Sequence, residues 1–135
     1  MSAGTRFLTF RLPAFLYMAL IFYLSSGPVT LPFVKQIPDY YLHSLGYSAL
    51  YVLVFWALHE GLRPSGKYGG YWLPLLVTVL YGASDEYHQG FVPSRDASYG
   101  DLLADSVGGM LGIAWVALAD RLIRLIPRLR PGRSH

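Results

Sequence analysis

Four apolar runs, each roughly 20 residues long and separated by short polar stretches, set the main limit on what this chain can fold into. A backbone placed in lipid has no water to bond, so runs of this kind form helices that satisfy their own N–H and C=O groups. The spans read as 11–26, 41–60, 71–89 and 99–122. Hydrophobic residues make up 53% of the 135 positions and charged residues only 14%, outside the usual range of a soluble domain. The expectation is an all-α polytopic membrane protein: a compact bundle of four transmembrane helices forming a single domain over 1–135, with a basic tail over 121–135.

The breaks between spans are Gly27-Pro28, Arg63-Pro64-Ser65-Gly66 and Val92-Pro93-Ser94, and Pro13 and Pro74 are placed in first turns, where a missing N–H is tolerated. Connections this short force an up-and-down bundle. Arg6 and Arg11 ahead of an apolar run, with Ser25, Ser26 and Gly27 after it, also fit a cleaved signal peptide. No cysteine is present, which excludes disulfides, thiolate metal sites and cysteine nucleophiles. The net charge of +3 does not point to nucleic acid, because the basic residues flank apolar segments or crowd the tail.

Lysine and arginine divide nine to two between the two sides of the bundle. Arg6, Arg11, Arg63, Lys67, Arg121, Arg124, Arg128, Arg130 and Arg133 fall on one side, Lys35 and Arg95 on the other. Cytoplasmic loops carry the excess of positive charge, so both termini are expected inside. Six of the eight carboxylates then lie at the outer end: Asp39, Asp85, Glu86, Asp96, Asp101 and Asp105. His43, His88 and Gln89 join them, and ionisable groups at a membrane are expensive enough to mark a functional site.

Helix electrostatics sorts these acids. Asp39 precedes the second helix, and Ser98-Tyr99-Gly100-Asp101 reads as a capping box at the fourth, so the macrodipole favours both acids. Asp96 reads as a solvated loop charge. Asp85 and Glu86 stand in the last turn of the third helix, where the dipole disfavours them, and Arg95 is the expected counter-ion across the loop. Asp105 shares a stripe with Asp101, Gly108 and Gly112, whose small side chains permit close helix approach, so Asp105 faces inward. His43 lies four residues after Asp39, a spacing that allows a hydrogen bond along one face. His59 and Glu60 read as interfacial at the other end, and His135 as tail. Carboxylates packed this closely either take up protons or hold a cation, which is the amine of a ligand or a divalent metal; no ligand spacing assigns a metal or any other cofactor.

The stretch Asp85-Glu86-Tyr87-His88-Gln89-Gly90-Phe91-Val92-Pro93-Ser94-Arg95, followed by Asp101-Leu102-Leu103-Ala104-Asp105-Ser106-Val107-Gly108, resembles the VanZ-like family, and Asp39-Tyr40-Tyr41-Leu42-His43 resembles its first signature. The resemblance covers about 39–112. Tyr40 stands where that family commonly has lysine and Asp105 where it commonly has asparagine. The resemblance implies a small multi-pass protein of the bacterial inner membrane, associated with the cell envelope and, in the founding member, with reduced susceptibility to teicoplanin.

The expected function is an outward-facing polar pocket of Asp39, His43, Asp85, Glu86, Gln89, Arg95, Asp101 and Asp105. It would bind a membrane lipid, a lipid-linked envelope precursor or an amphipathic glycopeptide. The alternative is a hydrolase or transferase acting on a lipid headgroup, with Glu86 or His88 as general base and His43 as acid, although no nucleophile elbow or H-E-x-x-H is present. A proton-coupled transporter is a third class, weakened by the lack of repeat symmetry.

Overall fold

The computed structural model describes residues 1–28, 32, 36–64, 70–93 and 95–126. Lys35, Ser65, Gly66, Lys67, Ser94, Arg128, Arg130, Arg133 and His135, which carry parts of the sequence reading, lie outside the described residues. The described residues form four helices: α1 Ala3–Ser25, α2 Asp39–His59, α3 Trp72–Gln89 and α4 Tyr99–Leu125. Helices α1, α2 and α4 are long and apolar enough to cross a membrane, so the chain is a multi-pass membrane protein. Helix α3 has 18 residues, and its last turn carries Asp85, Glu86, His88 and Gln89. By length and composition it is not a candidate span of its own, and it packs against α2 and α4.

Helix α1 begins eight residues before the expected start, with Ser2 Oγ accepting from the Thr5 N–H at 3.2 Å. Pro13 therefore sits inside a helix and not in its first turn. The helix absorbs it by widening into a π-turn over Phe7–Arg11, closed by the Leu12 N–H on the Phe7 carbonyl. Pro13 has no N–H for the carbonyl of Thr9, and Trp56 Nε1 of α2 donates to that oxygen at 3.2 Å instead.

Helix α2 is central, with Tyr47, Leu50, Tyr51, Val54 and Phe55 all buried. It starts after Pro38, so Asp39 is its first residue and not the one before it, and it ends at Glu60 in the left-handed region, φ 54°. Against it lies α4. A Cβ on Gly108 would run into the Ser44 carbonyl, and one on Gly112 would come within 2.6 Å of Tyr51 Cβ, so the expected small-residue stripe is the α2–α4 seam. Gly109 receives Leu75 of α3 in the same way. Tyrosine hydroxyls tie the remaining contacts: Tyr17 to the Gly46 carbonyl at 3.1 Å, Tyr81 to Met18 at 2.6 Å and Tyr51 to Tyr71 at 3.1 Å.

The distribution of polarity is inverted relative to a water-soluble bundle. Asp85, Glu86, Gln89 and Asp105 are buried, whereas Phe15, Leu16, Leu20, Trp72, Leu80, Met110, Leu111 and Trp115 are exposed. An apolar exterior on this scale requires lipid around it. The helices alternate in direction, and each end has its own electrostatics. At the basic end Glu60 pairs with Arg6, and with Arg11 at 3.3 Å; Asp120 pairs with Arg63 at 3.4 Å and Arg124 at 2.8 Å. The Arg6 guanidinium, helped by Arg11, holds the Glu60 carboxyl below the usual carboxylate range.

Because the Gly112 clash is with a Cβ fixed to the backbone, Gly112→Ala must push α2 and α4 apart. We expect a loss of about 1–3 kcal/mol in detergent unfolding, the usual cost of overpacking. Gly27→Ala, where an added Cβ meets nothing within 4 Å, should change stability by less than about 0.5 kcal/mol. Equal effects of the two would mean that the seam is not closely packed.

Candidate functional site at the acidic end

Asp85 and Glu86 occupy the last turn of α3, both buried, and among the described residues neither is paired with a lysine or arginine. Asp85 accepts from Ser25 Oγ at 2.6 Å, Gln89 Nε2 at 3.0 Å and the Tyr47 hydroxyl at 3.5 Å. Glu86 accepts from the backbone N–H of Ser98 at 3.0 Å and from Gln89 Nε2 at 3.3 Å. One amide thus bridges both acids. The predicted capping box is only half present: Ser98 caps α4 through its Oγ on Gly100 N–H at 3.0 Å, but its own N–H goes to Glu86 of another helix and not to Asp101.

Arg95 is not the counter-ion expected for the two acids. Its Nε donates to the Gly27 carbonyl at 3.0 Å and its terminal nitrogen to the Leu24 carbonyl at 2.9 Å. The last carbonyls of a helix have no intrahelical donor and sit at the negative end of the dipole, so a guanidinium is well matched to them. The neutral donors around Asp85 and Glu86 leave Arg95 available for this role.

Asp105, one turn into α4, is fully buried. Its Oδ1 is 2.8 Å from His43 Nδ1, and its Oδ2 lies against Gly82 with no hydrogen-bond partner among the described residues. Only a glycine fits at position 82, since a Cβ there would stand 2.8 Å from that oxygen. His43 therefore pairs with Asp105 of α4 and not, as its spacing suggested, with Asp39 of its own helix. Donor atoms of His43, Glu86 and Asp105 lie within 4.8 Å of one another, as do those of Asp39, His43 and Asp101. The imidazole is where the two groups meet.

A cavity of about 380 Å³ opens beside this cluster, between the ends of α1, α2 and α3. Tyr17, Ile21, Leu24 and Leu42 form an apolar wall, and Asp39, His43, Asp85, Gln89 and Arg95 a polar one. Glu86 and Asp105 are not in its lining and touch the cluster through His43. His88 does not line this cavity, and its ring stacks on Phe22 of α1 at 4.3 Å. Asp96 is exposed, as expected of a loop charge. Sequence reasoning missed Ser25 and Tyr47. Tyr47 carried a usable signal, because it follows Asp39 and His43 at steps of four on one helical face, and its ring lies parallel to that of His43 at 6.3 Å.

The partners of Arg95 are carbonyls, which do not titrate. Arg95→Ala should therefore lower stability in detergent by the same amount at pH 5 and pH 8, about 1.5–3 kcal/mol for hydrogen bonds from a charged donor. A loss much larger at pH 8 would return Arg95 to the carboxylates.

No match to the chain was found among curated proteins or among solved structures. The VanZ/LLP1 family model matches residues 10–120, from within α1 to Asp120 of α4 and across every residue of the site, so the chain belongs to the VanZ/LLP1 family.

Proposed function

We propose that this protein is a bacterial inner-membrane binding protein whose cavity holds an amphipathic component of the cell envelope bearing an amine. The cavity supports this reading, because one wall is apolar and the other presents Asp39, Asp85, Gln89 and His43. An acyl chain would lie along Tyr17, Ile21, Leu24 and Leu42, and an ammonium group would reach the carboxylates. Arg95, committed to the carbonyls of Leu24 in α1 and of Gly27 just beyond it, is poorly placed to take a phosphate, so the preference is for the cationic part of a headgroup or of a glycopeptide. Teicoplanin-type resistance would follow if the occupant were the antibiotic or the lipid it meets.

The proposal places the acidic end outside, following the excess of basic residues at the other end. A periplasm-dependent reporter fused after Arg133 should be silent; activity there would put the site in the cytoplasm. For the ligand, native mass spectrometry of the protein in mixed vesicles of phosphatidylethanolamine and phosphatidylglycerol should show retention of the amine lipid. Asp39→Asn should weaken that retention about 10-fold or more, the loss expected for one charge-assisted hydrogen bond. Retention of the anionic lipid, or indifference to Asp39→Asn, would overturn the reading.

A second reading, an enzyme acting on the same headgroup, is favoured by one observation. The imidazole of His43 faces the cavity while buried Asp105 orients it from behind, the arrangement of a general base and its positioning carboxylate. Turnover of a bound lipid that stops in His43→Gln while binding persists would select it.

A further inference from the structure

We infer that His43, Glu86 and Asp105 form a binding site for a first-row divalent cation such as zinc or manganese, joining α2, α3 and α4 at the acidic end. Each of the three offers a donor atom within 4.8 Å of the other two, and each comes from a different helix. Glu86 and Asp105 are buried, and the His43 side chain is 12% exposed. The second observation is independent of the clustering: Asp105 is fully buried, yet its Oδ2 has no hydrogen-bond partner among the described residues. A buried carboxylate oxygen without a donor is a costly arrangement, and a cation bound by the side chain compensates it.

The donor set indicates the kind of ion. One imidazole nitrogen and two carboxylate oxygens suit zinc or manganese better than calcium or magnesium, which favour oxygen throughout. Three protein ligands leave a further coordination position. His43 would bind through a ring nitrogen and Asp105 through its carboxylate, whose Oδ2 is the oxygen with no other partner among the described residues. Asp39 and Asp101, within 4.8 Å of the same imidazole, can accept the proton of its other nitrogen and fix the ring. The Ser98 N–H and the Gln89 amide already orient Glu86. Arg95 donates to the Gly27 and Leu24 carbonyls, so its guanidinium does not compete for the three donors.

The test uses the full chain in detergent, stripped with a chelator and titrated with zinc alone. One equivalent should bind, the thermal transition should rise with zinc concentration, and cobalt in place of zinc should give ligand-field absorption. Glu86→Gln and Asp105→Asn should each weaken binding at least about 100-fold, while Asp96→Asn and His135→Ala leave it unchanged. Should Asp105→Asn fail to fold, Glu86→Gln against Asp96→Asn decides the matter. Absence of stoichiometric uptake, or uptake unaffected by Glu86→Gln, would overturn the site. No lipid enters this titration, so its outcome is separable from that of the ligand reading.

Discussion

Because Gly108 and Gly112 have no side chains, the backbone of α4 lies against Ser44 and Tyr51 of α2, and that distance governs the rest of the acidic end. At ordinary helix separation Asp105 could not reach His43 at 2.8 Å, nor could its second oxygen sit on Gly82 of α3. Hydrophobic attraction between helices is weak in lipid, so packing and interhelical hydrogen bonds must hold this approach. Ser44 Oγ to the Ala104 carbonyl, at 3.0 Å, is one such bond, made by the residues next to His43 and Asp105.

The electrostatics follow from a division of donors. Helix α3 ends in two carboxylates where its own dipole disfavours them, and the fold answers with neutral groups: a serine, a tyrosine, a glutamine amide and a backbone N–H. Neutral donors orient a carboxylate without cancelling its charge. A cluster held this way would keep a negative potential for the cation inferred above. At the basic end the acids are paired directly with arginines, Glu60 with Arg6 and Arg11 and Asp120 with Arg63 and Arg124, so these charges have partners within the fold.

Much of this could be read from the residues. The apolar runs gave the helices, the glycine stripe gave the α2–α4 seam, and the spacing along α2 and α4 turned His43 and Asp105 inward. What failed were inferences about which polar group meets which. Arg95 is near the acids in sequence, but a fork of N–H donors suits unpaired carbonyls as well as carboxylates, and no periodicity distinguishes them. His88 shares a stripe with Asp85, yet the arrival of α1, which brings Phe22 to its ring, is a tertiary event. Pro13 misled for a related reason: a proline inside a helix is tolerated when a π-turn and an outside donor, here Trp56, accommodate the carbonyl it leaves unbonded.

The two departures from the family pattern act at different depths. Tyr40, where lysine is common in the resembled pattern, is exposed with its ring tilted against that of Tyr41 at 4.4 Å, so its effect is the absence of one solvated positive charge beside Asp39. Asp105 is fully buried. An asparagine there would place an amide in the cluster, able to donate to Glu86 and to leave His43 without an ionised partner. The carboxylate does the opposite, adding an acceptor whose one side-chain partner among the described residues is His43. Both changes move the charge of this end in the same direction, outside and within, and the buried one cannot be screened by solvent. In the cation site inferred above, the carboxylate at position 105 would supply a charged oxygen ligand where an asparagine would supply a neutral one.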